Sequence, residues 1–499
     1  MESSGHRKWW ALLALTLAAV AIGLDMTVLN LALPTLAMAL HATTDQLLWF
    51  VDAYTLIVAA AMLPAGMLGD RFGRKKLLLG ALMVFGVGSL ACAYSPSAGM
   101  FITARILLGV GAAFIIPLAL SVIPVLFTDV DRAKAVAILM VGTMISFPLG
   151  PILGGWLLSH YWWGTVFLIN LPVVVLTIIA VSLLLPESRA KERTPVDLLG
   201  IVTSSLGLTG LTYGIIEGGQ YGFGTVGAIV PITGGILLLA ATVLWERRVP
   251  HPLIELGLFQ SKGFTWGTTL TTLVSFVMFG VLFAVPQYYE EVVGMNALGS
   301  GIRLLPLIAG LIVGASIANR LAAGTGAKSA VALGFALLSV GVALGATTSL
   351  HSGTSFTLTW LAISGVGLGF AMPTAMDAAL GALSTEQSGV GSGFIQAMRQ
   401  AGGTIGVAVL GTILSTTYRH HIDVTALPAS LAAVAEKNVA AGVAVAQQAG
   451  MPALLMSVKS AFIHGMNNML WVSAIIGVID VVLALTFLPG RSAKGGTSQ

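Results

Sequence analysis

The chain has 499 residues, of which 56% are hydrophobic, 9% are charged and 60 are glycine. Soluble globular domains carry about 25% charged residues, so this composition excludes a soluble protein and predicts an all-α integral membrane protein. The net charge of +4 reflects lysine and arginine in the loops and gives no reason to expect a nucleic-acid partner.

Apolar runs of the length that a membrane-spanning helix needs, about 20 residues, recur along the chain between charged or Pro/Gly-rich breaks. The first run continues directly into a polar motif, so it is expected to be a permanent anchor rather than a cleaved signal peptide. The runs predict fourteen spans, numbered 1 to 14 in chain order: 10–33, 47–68, 76–94, 101–126, 133–157, 166–185, 196–216, 225–245, 264–288, 302–319, 328–348, 355–381, 390–416 and 467–489.

The loops on one side of these spans collect most of the 24 lysine and arginine residues. Short cytoplasmic loops carry such an excess of positive charge. An even number of spans then places both termini in the cytoplasm. We therefore expect a multi-pass protein of the cell (plasma) membrane.

Two long segments interrupt the pattern of spans and short loops. The charged stretch 186–196 follows span 6. We expect three parts: an N-terminal six-helix domain (1–187), a linker pair formed by spans 7 and 8 (188–262) and a C-terminal six-helix domain (263–499). The outer segment 417–460 is alanine-rich. It is expected to form either a short helix on the outer surface or a loosely ordered loop.

Charged residues inside the spans are the strongest functional signal, because an ionised carboxylate there costs several kcal/mol. At a rise of about 1.5 Å per residue, Asp25 in span 1, Asp52 in span 2 and Arg105 in span 4 lie at a similar height in the outer third of the membrane. Such an arrangement is typical of a proton or cation site. The alternative is that Asp25 and Arg105 form a static pair that only orients helices.

Three further acidic residues lie within spans or at their ends. Asp377 is near the inner end of span 12, and Arg399 follows in span 13; a second, inward-facing charge site, a structural pair and a cytoplasmic gate all remain open. Glu217 is a candidate at the outer end of span 7. Asp480 in span 14 is interpreted as a polar contact between helices.

Span 5 has a small side chain at every fourth position, a spacing that lets another helix approach closely. The sequence also predicts a bend, because Pro148 and Pro151 lie in the same stretch. Two interpretations stay open, a rigidly packed bundle and a helix that slides against its neighbour. The small side chains are Gly142, Ser146, Gly150 and Gly154.

Several stretches resemble motifs of the major facilitator superfamily, specifically its fourteen-span drug:proton antiporters, the QacA-like multidrug efflux pumps. The resemblance covers nearly the whole chain, with Ser146 standing where the span 5 motif usually begins with glycine. The similar stretches are LDMTVLNLALP (24–34), GMLGDRFGRKKLL (66–78), RILLGVGAAFIIP (105–117), SFPLGPILGG (146–155), FLINLP (167–172) and MRQAGGTIGVAVLG (398–411).

The resemblance implies two six-helix domains, each built of inverted three-helix repeats, with two extra helices between them. It implies a role in proton coupling for Asp25, with Arg105 as the buried arginine of span 4. It further implies a conformational latch at Gly66, Asp70, Arg71, Gly73, Arg74 and Lys75, and an antiporter motif that includes Gly150, Pro151, Gly154 and Gly155.

The function expected from this resemblance is proton-coupled efflux of diverse lipophilic cationic drugs by alternating access. The alternative is the same fold exporting one metabolite or antibiotic. A monomer is expected whose partners are such drugs, protons and the lipid bilayer, without a cofactor.

An enzyme is not expected, because the stretch 322–329 lacks the two glycines that a phosphate-binding loop requires and no hydrolase motif occurs. Cys92 is the only cysteine, and the histidines show no metal-ligand spacing.

Overall fold

The structure is a computed structural model that describes residues 2–42, 44–189, 197–249, 256–384 and 387–489. The described residues form eighteen α-helices, a 3₁₀ turn (Leu256–Gln260) and a π-helical turn (Tyr288–Val292). The helices are α1 (Glu2–Ala39), α2 (Thr44–Phe72), α3 (Arg74–Ala93), α4 (Ala98–Leu126), α5 (Asp129–His160), α6 (Thr165–Leu168), α7 (Asn170–Leu184), α8 (Leu198–Tyr221), α9 (Val226–Glu246), α10 (Lys262–Gln287), α11 (Ala297–Arg303), α12 (Leu305–Thr325), α13 (Ala327–Gly345), α14 (Thr354–Gly381), α15 (Ser388–His421), α16 (Ala429–Ala435), α17 (Val439–Gln448) and α18 (Pro452–Phe487).

Within the described ranges, fourteen helical segments are long and apolar enough to cross a membrane. This confirms the predicted number of spans. Three of the segments are composite, because α6 continues into α7, α10 into the π-helical turn, and α11 into α12.

The last span starts earlier than expected. Helix α18 begins at Pro452 rather than at residue 467, because Lys459 and His464 lower the hydropathy of this stretch without interrupting the helix. Helix α15 likewise runs to His421, beyond the predicted end of span 13. Hydropathy reports the apolar part of a helix, and these two helices extend past it.

The outer segment between α15 and α18 is ordered as two short helices, α16 and α17. The Tyr418 hydroxyl at the end of α15 donates to the Ala435 carbonyl of α16 at 2.8 Å. Helix α17 packs on α18 and buries Val443 and Val445. The short-helix alternative therefore describes this segment better than the loosely ordered loop.

The chain divides into two compact units. Unit 1 comprises Met1–Thr269 and Ala375–Ala401, and unit 2 comprises Leu270–Thr374 and Gly402–Gln499. Helices α10, α14 and α15 each begin in one unit and end in the other. The extra helices α8 and α9 belong to unit 1.

In unit 1, the α8–α9 pair docks on α2. Ser205 of α8 donates to the Ala60 carbonyl of α2 at 2.7 Å, and the Trp49 and Tyr213 rings stack with centroids 6.4 Å apart. Helix α8 also packs tightly on α9, where Gly235 leaves no room for a side chain against the α8 backbone. The α8–α9 pair therefore packs at a defined position on α2.

In unit 2, α13 and α18 pack against each other along most of their length. Asn467 near the middle of α18 donates to the Thr348 carbonyl just beyond the end of α13, at 2.9 Å. Farther along α18, Gly477 lies against Ser339. The two contacts progress in opposite directions along the chain, so the helices are antiparallel.

Candidate functional site

An ion pair between α1 and α4 forms the centre of the candidate site in unit 1. Arg105 Nη1 donates to Asp25 Oδ2 at 2.6 Å, and the two side chains are 1% and 0% exposed. Arg105 Nε donates to the Phe50 carbonyl of α2 at 2.8 Å. Three helices that are distant in sequence therefore meet at one arginine.

An aromatic ring covers the guanidinium. The Arg105 guanidinium carbon lies 4.4 Å from the Tyr54 ring centroid, well within cation–π range. Phe50 and Tyr54 are not among the sequence-based candidates. The signal that could have found them is their four-residue spacing at the height of Arg105, which puts both on one face of α2.

Two buried polar atoms beside this pair have no hydrogen-bond partner among the described residues, namely Asp25 Oδ1 and the Tyr54 hydroxyl. A buried ion pair adds little net stability, because the cost of desolvating two charges offsets their attraction. Asp25 thus combines a fixed positive neighbour with an oxygen that can still accept a hydrogen bond.

Asp52 and Glu217 are placed differently from the ion pair. Asp52 is partly exposed, and as the residue midway between Phe50 and Tyr54 it lies on the opposite side of α2 from the face that contacts Arg105. Glu217 lies near the end of α8, with its carboxylate against Gly227 of α9. The structure therefore brings together Asp25 and Arg105 from the predicted group of charges.

The small-residue face of α5 packs on α1. A side chain added at Gly142 would collide with Thr16, and one added at Gly150 would collide with Thr27. On α1, Gly23 leaves equally little room against Ser146. Asp25 lies between the α1 positions 23 and 27, so α1 carries the carboxylate on one side and the close α5 contact on another.

The antiporter-motif glycines differ in how tightly they pack, and this difference is testable. A Cβ at Gly150 meets the Thr27 hydroxyl, whereas a Cβ at Gly155 has its nearest neighbour, Leu31 Cδ2, at 3.8 Å. We expect Gly150→Ala to destabilise the protein by about 1–3 kcal/mol through overpacking. Gly155→Ala is expected to be neutral or slightly stabilising, since alanine favours the helix.

Thermal melting of the two variants in detergent measures this difference. The expected order is a clearly lower melting temperature for Gly150→Ala and an unchanged or higher one for Gly155→Ala. Equal melting temperatures would contradict the close α1–α5 contact.

The loop motif between α2 and α3 contacts the first turn of α15, within unit 1. Asp70 Oδ1 accepts hydrogen bonds from Arg74 Nε at 2.9 Å and Nη2 at 2.7 Å. Asp70 Oδ2 accepts one from the Val390 backbone N–H at 3.0 Å. The N–H groups of a helical first turn have no partner within the helix and carry a partial positive charge, which favours a carboxylate at this position.

Glycine is required at three positions in and beside this contact. Gly66 lies against the Gly389 backbone with no space for a Cβ, and a Cβ at Gly389 would collide with the Asp70 carboxylate. Gly73 has φ = 105°, a conformation that residues with a side chain rarely adopt. These glycines allow α2, α3 and α15 to converge.

A second ion pair lies at the same end of unit 1. Arg132 Nε of α5 donates to Asp377 Oδ1 of α14 at 2.7 Å, and both side chains are partly exposed. Arg399 Nη1 donates to Gln396 of its own helix at 2.5 Å. Asp377 is thus paired across helices with Arg132, a residue in the first turn of α5 that the sequence-based candidates omit.

Lys75 and Lys76 in the first turn of α3 are held by the end of α7 and the turn after it. The Lys75 and Lys76 backbone N–H groups donate to the Glu187 carboxylate, each at 3.2 Å. Lys75 Nζ donates to the Ser182 carbonyl at 2.7 Å. Arg71 lies over the Phe72 ring at 5.5 Å. Glu187 therefore caps α3, a role that its position 112 residues from Lys75 hides from sequence analysis.

Comparisons with known proteins identify the family. A family model described as Major Facilitator Superfamily matches residues 15–407. The chain belongs to the Major Facilitator Superfamily. The fourteen spanning helices and this membership make it a multi-pass membrane transporter.

Relatives of the transporter include three exporters and resistance proteins from bacteria. It is 31% identical to the tetracenomycin C resistance and export protein of Streptomyces glaucescens (96% of this chain, 91% of the relative). It is 32% identical to the multidrug efflux pump LfrA of Mycolicibacterium smegmatis (92% of each). It is 29% identical to the methyl viologen resistance protein SmvA of Salmonella typhimurium (92% of this chain, 93% of the relative).

A solved structure shows the same fold. The proton:xylose symporter XylE, bound to 6-bromo-6-deoxy-D-glucose, aligns with a TM-score of 0.65 at 13% identity, covering 98% of this chain and 97% of that one. This confirms the predicted major facilitator fold. The fold accommodates different cargoes and coupling directions, so the function has to be argued from the site.

Proposed function

We propose that the transporter exports lipophilic cationic drugs in exchange for protons by alternating access. The observation that carries this proposal is the buried Asp25–Arg105 pair, in which Asp25 Oδ1 has no hydrogen-bond partner among the described residues. Intramembrane carboxylates mark proton relays in pumps and transporters. A role limited to helix orientation would gain little, because apolar contacts stabilise a fold as well as a buried ion pair does.

The excess of lysine and arginine on one side supports the orientation. The end of unit 1 that carries Asp70, Arg74 and the Arg132–Asp377 pair then faces the cytoplasm, as do both termini. The transporter acts as a monomer in the cell membrane. The contact of Asp70 with the Val390 N–H holds the cytoplasmic end of α2 against α15, and the Arg132–Asp377 pair holds that of α5 against α14. Both contacts must break before cargo enters from the cytoplasm.

In this proposal, protonation of Asp25 switches the transporter between its conformations. A proton on the carboxylate weakens its attraction to Arg105, and α1, which bears Asp25, also packs closely on α5 through Gly150 and Gly23. A change at the ion pair is therefore passed to the α1–α5 contact by the same helix. Such a contact, made of small side chains, is suited to small sliding movements.

Cationic cargo is supported by the charge of the candidate carboxylates and by the relatives. Multidrug efflux by LfrA and methyl viologen resistance by SmvA are consistent with apolar and cationic compounds. Each proton that enters gains about 2.3 kcal/mol per 100 mV and about 1.4 kcal/mol per pH unit. A monovalent cation that leaves loses the same amount, about 2.3 kcal/mol per 100 mV, so with one proton per cation only the pH gradient drives accumulation, by about tenfold per pH unit.

Export of one antibiotic or metabolite is the second candidate function. It is supported by the tetracenomycin C exporter, which matches nearly the whole chain. The same fold, latch and proton site would serve it, and only the cargo would differ.

Uptake of ethidium by inside-out vesicles under an imposed pH gradient tests the proposal. We expect accumulation that a protonophore abolishes and that protein-free vesicles do not show. Accumulation that resists the protonophore would refute proton coupling. If the vesicles accumulate none of ethidium, tetraphenylphosphonium and methyl viologen, the cationic-drug proposal fails and the single-compound alternative is favoured.

A further inference from the structure

Asp480 is a fully buried carboxyl in the contact between α13 and α18 of unit 2. The buried face of α18 follows a helical spacing through Ser473, Gly477, Asp480 and Ala484. Gly477 packs so closely on Ser339 of α13 that a side chain there would collide with the serine hydroxyl. Asp480 lies about one turn farther along the same face.

Neither carboxylate oxygen of Asp480 has a hydrogen-bond partner among the described residues. The other buried aspartates differ, since Asp25 and Asp70 pair with arginines and Asp197 accepts from Gly200 N and Trp245 Nε1. A buried carboxylate without a counter-charge or a donor costs several kcal/mol. The closed contact therefore accommodates the neutral carboxylic acid and not the anion.

The titratable groups on the two packed helices stand far from Asp480. On α13 the nearest titratable group is Lys328. It lies eight residues along α13 from the position opposite Asp480, which is a distance of about 12 Å along the helix axis. On α18 itself His464 and Lys459 lie about 24 Å and farther away. Helix α17 and the unit 2 parts of α10 and α14 contain no titratable residue.

Two other elements of unit 2 touch α18 toward its beginning. Helix α15 does so at Gly465, which packs on the Leu414 carbonyl. The His421 ring at the end of α15 stacks on His464 with centroids 4.8 Å apart, in the same stretch as Tyr418, Arg419 and His420. The π-helical turn, which packs on α18 and also touches α17, carries Tyr288, Tyr289, Glu290 and Glu291.

We propose that Asp480 is a second proton-binding site, which takes up and releases one proton in each transport cycle. The step is simple protonation of a carboxylate and needs no co-reactant. When α18 and α13 separate and water reaches the carboxyl, the acid ionises; when they close again, it must regain a proton. The inference rests on the proposed proton antiport and assigns one proton site to each unit, Asp25 in unit 1 and Asp480 in unit 2.

Two protons per cargo make the exchange of a monovalent cation electrogenic. One net positive charge then moves against the direction of the cargo in each cycle. A membrane potential that is positive in the vesicle lumen drives protons out and the cation in, opposite to passive distribution of the cation. At 100 mV the wild-type protein is expected to accumulate ethidium up to about 50-fold without any pH gradient.

Asp480→Asn, in the full-length protein reconstituted in inside-out orientation, tests the assignment. The amide cannot exchange a proton, so potential-driven accumulation is expected to disappear while accumulation driven by a pH gradient remains. Asp480→Ser is a second neutral variant, small enough for this contact, in case the amide prevents folding. Two results would overturn the proposal. One is potential-driven accumulation that persists in a folded variant, and the other is its absence from a wild-type protein that responds to the pH gradient.

Asp423→Asn is the matched control. Asp423 is exposed in the outer segment, and hydrogen bonds from Thr425 hold the pKa of its carboxyl below the usual range. It therefore stays ionised during transport, and its variant should behave as the wild type. A wild-type protein that fails to respond to either driving force would instead refute the proposed antiport itself.

Discussion

Asp25→Asn is expected to abolish ethidium accumulation driven by a pH gradient. The wild-type protein should reach a ratio of about 10 per pH unit for each proton exchanged, whereas the variant should remain at the level of protein-free vesicles. The physical reason is that the amide of the variant can still accept a hydrogen bond from Arg105 but cannot bind the proton that acts on the α1–α5 contact, so a proton at Asp480 alone does not drive the conformational change. Uptake into inside-out vesicles, followed by fluorescence, measures the effect.

The same variant leaves the Arg105 guanidinium buried without a counter-charge, which costs about 3–5 kcal/mol of stability. Expression level and thermal melting must therefore accompany the transport assay. Asp25→Glu retains a titratable carboxyl and is expected to recover part of the transport. Exchange of labelled for unlabelled drug in the absence of a gradient should survive in a folded Asp25→Asn variant, since it needs no net proton movement.

Two results would exclude Asp25 from the coupling path. One is accumulation by Asp25→Asn equal to that of the wild type. The other is loss of function in Asp25→Asn that Asp25→Glu does not relieve and that tracks a loss of folded protein. In either case the ion pair would be structural.

Asp70→Asn is expected to lower transport by roughly tenfold or more, because it destabilises the proposed latch, which is the contact of the α2–α3 loop motif with the first turn of α15. The substitution removes the charge that neutralises Arg74, which is 1% exposed, and the charge that faces the first turn of α15 at the Val390 N–H. Removing one partner of such a buried pair costs about 3–5 kcal/mol. The population of molecules in which this contact is formed should fall accordingly.

Labelling of a cysteine at position 388 reports that population directly. Ser388 is fully buried in this arrangement, where its hydroxyl donates to the Ser121 carbonyl at 3.3 Å. On a background in which serine replaces Cys92, Ser388→Cys should react slowly with a water-soluble maleimide and much faster when Asp70→Asn is added. Unchanged labelling together with normal transport would rule out the latch.

Asp131→Asn is the matched control for Asp70→Asn. Asp131 also pairs with a basic residue, Lys8, at 2.6 Å, but the two side chains are 36% and 25% exposed. Exposed ion pairs contribute about 0–1 kcal/mol. This variant is therefore expected to transport and label like the wild type, which separates the loss of the latch from the loss of any carboxylate.

The amino-acid sequence by itself determined the membrane class, the fourteen spans and the identity of the buried charges. Hydropathy and span length are local properties, and a carboxylate or guanidinium within an apolar run is visible without a structure. The pairing of Asp25 with Arg105 was anticipated because both lie at one depth on neighbouring spans. The predicted span boundaries were wrong where helices extend past their apolar part, as α18 does at Pro452.

Only the tertiary structure decided which groups actually meet. Asp70 reaches the Val390 N–H across 320 residues, Asp377 pairs with Arg132 of α5, and Asp52 lies on the far side of α2 from Arg105 although it has the same height. Asp480, interpreted as a polar contact, is buried between helices without a polar partner among the described residues. The physical reason is that depth in the membrane follows from position along a span, whereas contact depends on the rotation of each helix about its axis and on the register between helices, which hydropathy does not encode.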